Sequence, residues 1–122
     1  MVTGVLIAES LRVGATLEGV PLTARKIWRI DPEDTMSGQP SAWTLIQFEA
    51  AEADAPPLAA ALAAVLDDAP GWYADFHSAT EKFVVFPRRV FRYRRGDRAA
   101  RAEAEAHARS LGIPDAQIDW PD

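Results

Sequence analysis

The chain has 122 residues, a net charge of −5, 48% hydrophobic and 25% charged residues, and no cysteine. That length and balance predict a single domain, residues 1–122, built on one core, and exclude a disordered tail, a fibrous repeat and a disulfide scaffold. The missing thiols also remove a cysteine nucleophile and thiolate metal ligation, and the negative sum argues against a chain that coats nucleic acid.

The N-terminal apolar run, Val5 to Ala8, is short, ends at Glu9 and lacks a basic leader, so it does not read as a secretory signal. No stretch approaches the roughly 20 apolar residues that span a bilayer, and the chain has no asparagine to carry a glycan. A reducing, cytoplasmic setting with no membrane contact is the expectation.

Val5 to Leu11 has the composition of a strand, and Leu22 to Ile30 alternates in part, with Leu22, Ala24, Trp28 and Ile30 on one parity. Turn signals around Gly14 and Gly19 lie between them, so residues 1–30 read as an N-terminal β-hairpin. Residues 31–41, with two prolines, a glycine and three acids, form a long acidic connection expected to be mobile. Glu33, Thr35 and Met36 stand where a calcium loop wants Asp or Asn, Asp or Asn, and Gly, so that motif is not met.

Trp43 to Glu49 reads as a strand, and Ala55 to Asp68 as a helix with Pro56 and Pro57 in its first turn and Asp54 before it. Leu58, Leu62, Val65 and Leu66 give this helix an apolar side, and Pro70-Gly71 ends the segment. Trp72 to His77 and Lys82 to Phe86 then form a hairpin across a short loop. Pro87 interrupts the second run, which Val90 to Tyr93 continues after a bend on an edge strand. Asp97 caps a last helix to about Ser110 with a face of small residues, Ala100, Ala104 and Ala108, and Gln117 to Trp120 supplies a final short strand.

From residue 43 to 120 the order is βαββαβ. The fold class expected is therefore α+β: an antiparallel sheet with two helices on one face in a ferredoxin-like order, preceded by the hairpin. The four tryptophans, Trp28, Trp43, Trp72 and Trp120, all fall in strand-like segments, where packing accounts for them as well as a pocket would.

Two features bear on function. Between Arg88 and Arg101 seven arginines face one acid, a local +6 against −11 in the rest of the chain. Arg88, Arg89, Arg92 and Arg94 are the candidate ligands for a small anion or an acidic partner, because each guanidinium presents a rigid fork of donors. The same charges would also guard an edge strand against aggregation.

The second feature is alternation on the Trp72 to His77 strand, which sends Tyr73, Asp75 and His77 to one face. A carboxylate beside an imidazole is the minimum for acid–base catalysis, so these three are the catalytic candidates, although a half-exposed strand alternates in this way without any function. His107 sits in a charged helix and reads as solvent-facing.

No G-x-G-x-x-G, P-loop, G-x-S-x-G or H-E-x-x-H occurs, and Lys82 to Phe86 lacks the glycines of an RNA-binding strand motif, so no cofactor, metal or nucleic acid is expected. The first reading is a non-catalytic binding or interaction domain for an acidic partner surface or small anion. A small acid–base enzyme is the second, and a structural homodimer pairing open sheet faces is the third.

Overall fold

All 122 residues are described by the computed structural model. Strands form at β1 (Val2–Ile7), β2 (Thr23–Ile30), β3 (Trp43–Ala50), β4 (Ala74–His77), β5 (Glu81–Phe86) and β6 (Arg89–Arg94), with helices α1 (Ala55–Val65) and α2 (Arg98–Ser110). The strands build one fully antiparallel sheet in the order β2-β3-β1-β4-β5-β6.

The expected N-terminal hairpin is not formed, because β1 pairs with β3 and β4 while β2 pairs with β3 alone. The connection after β1 explains the change. Leu11, Leu17, Val20 and Leu22 pack against the main core, and the Arg12 and Asp67 amides donate to Val65 and Ser10 carbonyls, both at 2.8 Å. A tight turn from β1 into β2 would have left those apolar residues in water. The Glu9 carboxylate fixes the end of β1 beside β3, accepting from the Thr44 amide at 2.6 Å and the Thr44 hydroxyl at 2.9 Å.

α1 buries Ala55, Leu58, Ala59 and Leu62 against Phe48, Phe76, Phe83 and Val85. Its first turn carries the two prolines, where missing amide donors have no helical acceptor to lose. In α2 the Asp97 carboxylate accepts from the Ala100 amide at 3.0 Å, and the small residues Ala104 and Ala108 let the helix lie close to Val84, Phe86 and Tyr93.

Successive residues of a strand point to opposite faces, so Phe83 and Val85 belong to the α1 side and Val84 and Phe86 to the α2 side. The α+β class, the many-stranded antiparallel sheet and the packed helix pair stand as expected, with the β-α-β-β run of the ferredoxin-like order intact from Trp43 to Phe86. The packing places α2 across the opposite face at the β5–β6 end, since helices on one side only would leave Val84 and Phe86 exposed.

Two further details depart from expectation. Pro87 and Arg88 make a two-residue turn, with Arg88 at φ 61°, so the chain reverses into β6 as a separate edge strand. Nor does the C-terminal segment join the sheet: Asp115–Gln117 is a single 3-10 turn, followed by irregular chain. Its carbonyls are taken by side chains, Gln117 O by the Tyr73 hydroxyl and Trp120 O by Arg101 Nη2 at 2.8 Å, while Ile118 and Trp120 are buried beneath α2. Neither helix is long and apolar enough to cross a membrane.

Candidate functional site

Where the cover of α2 and the C-terminal segment ends, the same sheet face opens into a cleft of about 300 Å³. Val5 and Ile7 of β1 and Leu45 of β3 are apolar residues that line it. Trp43 and Trp72, in edge-to-face contact at 5.2 Å between ring centroids, line it together with Pro32 and Asp34 of the acidic connection. Tyr73, Asp75, Gln117 and Asp119 supply the rest of its polar lining.

The acidic connection is tied down at several points. Gln39 Oε1 accepts from the Met36 amide at 2.8 Å and from Gln117 Nε2 at 3.1 Å, Gln117 Nε2 also donates to Asp34 O, and Trp43 Nε1 donates to Pro40 O at 3.0 Å. Gly71, at φ 124°, permits a tight passage, because a side chain there would collide with the Met36 sulfur at 2.8 Å. The loop and the C-terminal segment are thereby linked over one end of the cleft.

Tyr73, Asp75 and His77 do share a face, but their polar ends turn to different partners. The Tyr73 hydroxyl donates to Gln117 O and lies 3.3 Å from Asp119 Oδ1. Burial first, then the charges of Asp119 and Asp75, raises it above its ordinary range, so it stays protonated. Asp75 Oδ2 accepts from Lys82 Nζ at 2.7 Å. His77 makes no side-chain hydrogen bond. Burial, then the charges of Lys82 and Arg95, holds its imidazole below the ordinary value.

Lys82 was not among the sequence candidates. It is wholly buried, whereas its partner Asp75 keeps 25% of its side-chain surface exposed towards the cleft. Burial lowers the ammonium pKa, Asp75 opposes that, and Arg101 and Arg95 add to it. A lysine is almost never found fully inside unless paired, and here the pair fixes the Asp75 carboxylate at the cleft margin. The signal was available: Lys82 has the parity of Val84 and Phe86 in a run apolar on both faces, so its side chain had to enter the interior.

The arginine candidates do not converge. Arg88 pairs with Asp68 at 2.6 Å and Arg92 with Glu81 at 2.6 and 2.9 Å, while Arg89 lies over the Phe91 ring at 4.5 Å. Arg94 and Arg89 have no carboxylate partner. Arg95 and Arg101, in the same segment but outside the candidate set, meet instead at Asp122. His107, expected in solvent, sits half-buried against Phe86 and Phe91, with ring centroids at 4.9 and 5.5 Å.

Of the cleft's lining groups, every charged one is a carboxylate: Asp34, Asp75 and Asp119. Asp75 is already neutralised by Lys82, which leaves Asp34 and Asp119 as uncompensated charge. No group of three or more His, Asp or Glu side chains is arranged to hold a metal ion. No protein-family model matches the chain, and no significant match is found among curated proteins or solved structures.

Proposed function

We propose that this domain is a small non-catalytic binding module that takes a compact ligand in the cleft between β1, β3 and the Tyr73–Asp75 segment. One observation carries the reading: a cleft of about 300 Å³ combines aromatic side chains from Trp43, Trp72 and Tyr73 with charge of a single sign. Such a lining suits a ligand with an apolar body and an amine or other cationic end, since indole and phenol faces and carboxylates all favour positive charge. Acid–base chemistry has less support, because the polar ends of Tyr73, Asp75 and His77 are engaged apart from one another.

Titration with phenethylamine and with its size-matched acid, 3-phenylpropionate, followed by tryptophan fluorescence, tests the reading. The amine is expected to bind more tightly, and Asp119→Asn and Trp43→Ala each to weaken it about tenfold. Equal or tighter binding of the acid would overturn it, as would the absence of saturable binding by either.

A second reading, recognition of an acidic partner surface, is supported at the outer edge of β6, where Arg89 and Arg94 have no carboxylate partner. Exchange of both for glutamine should then abolish capture of a polyglutamate surface and leave the fold intact. A homodimer through the open sheet face is supported by the exposure of β2, where Ile27 is 64% exposed, and light scattering at micromolar concentration tests it. The lack of cysteine suits a reducing cytoplasm.

A further inference from the structure

Lys82 stands at an interior position that an apolar residue could fill. It shares one side of β5 with Val84 and Phe86, and in the ladders it faces His77 of β4 and Tyr93 of β6. Its long side chain runs past His77 to the diagonal neighbour Asp75, where Nζ donates to Oδ2 at 2.7 Å. None of the Lys82 side chain reaches solvent.

Asp75 therefore lies between that ammonium on its β5 flank and the cleft on its β1 flank, where its ladder partner Val5 also lines the cleft. A ligand can reach the carboxylate, but its charge is already countered. Arg95 and Arg101, the other cations that act on Lys82, donate to Ser78 O at 3.0 Å and Trp120 O at 2.8 Å. Lys82 is the only cation bonded to Asp75. Because Lys82 itself does not line the cleft, loss of its charge would alter the cleft's electrostatics while leaving the lining residues unchanged.

We infer that Lys82 is a positioning residue that sets the charge discrimination of the cleft, by withholding Asp75 from a ligand's cationic end and leaving that end to Asp34 and Asp119. The inference rests on the reading of the cleft as an amine site. It adds that one of the three carboxylates is held out of use by a residue that no ligand touches.

Phenethylamine and its neutral analogue 2-phenylethanol, titrated at about pH 8, where carboxylates are ionised, and followed by tryptophan fluorescence, test the inference. Lys82→Met is expected to bind the amine about fivefold more tightly than the unaltered chain and the alcohol equally well. A change in packing alone would move both ligands together. Asp75→Asn added to Lys82→Met should remove the gain, and Lys82→Gln, polar but neutral, should reproduce it, with near-UV circular dichroism checking each fold. The inference is overturned, with the cleft reading intact, if the unaltered chain binds the amine but the Lys82 variants stay within twofold of it. A parallel shift for the alcohol, or a gain that survives Asp75→Asn, overturns it equally. Failure of the unaltered chain to bind the amine at all overturns the cleft reading, and this inference with it.

Discussion

The two ends of the sheet are built to different rules. Along β5 every residue from Lys82 to Phe86 is buried, because α1 covers one face and α2 with the C-terminal segment covers the other. Along β2 no residue is buried. Stability is therefore concentrated at the β5 end, and the cleft lies where cover on the second face stops. A site at that boundary has a rigid floor from the packed end and open access from the bare one.

The widest test of this contrast is a pair of truncations measured by chemical denaturation. Phe86→Ala should lower stability by about 3–5 kcal/mol, and Ile27→Ala by no more than about 0.5 kcal/mol. Comparable losses at the two sites would break the contrast.

A sharper form concerns the buried ion pair. Asp75→Ala strands the Lys82 ammonium and should cost about 3 kcal/mol, whereas Lys82→Met, which leaves Asp75 with water, should cost less. The double variant should resemble Lys82→Met alone, and strict additivity in a double-mutant cycle would show that the pair is not coupled.

Smaller effects are expected at the margins. Asp97→Ala removes the cap of α2 and should cost about 1 kcal/mol by the same measurement. Burial, followed by nearby cations, holds both histidines below 6.5 in the folded protein: Lys82 and Arg95 act on His77, Arg89 on His107. As pH falls below 6.5 the unfolded chain takes up protons that the folded chain resists, so stability present above 6.5 is lost between there and the lowered folded values. His77→Gln should flatten that acid limb in pH-dependent denaturation. An unchanged slope would place the effect elsewhere.

Local elements were legible in the residues because local rules set them. Pro56-Pro57 marks the start of α1, Asp97 and the alanine face define α2, and the short loop at 78–80 announces the β4–β5 hairpin. The placement of Tyr73, Asp75 and His77 on one face followed from alternation alone.

What could not be read was anything decided by distant partners. The central position of β1 depends on Leu11, Leu17 and Val20 finding the core, which no local pattern specifies. Ile118 and Trp120 have strand-like spacing, yet Tyr73 and Arg101 take the carbonyls of Gln117 and Trp120 that a strand would offer to a neighbour. The cleft joins residues from the acidic connection, three strands and the C-terminal segment, which no local pattern brings together.

Central β1 also sets an order of events. Its partners include Ala50 on one side and His77 on the other, so β1 completes its two ladders only once both β3 and β4 are in place. Closing such long loops precedes any reward from packing, which slows folding and puts this step late. Gly4 then decides how tightly the seam closes, since a side chain there would meet Phe76 Cβ at 2.5 Å. β1 is thus the joint of the sheet, since β2-β3 and β4-β5-β6 have no shared ladder without it.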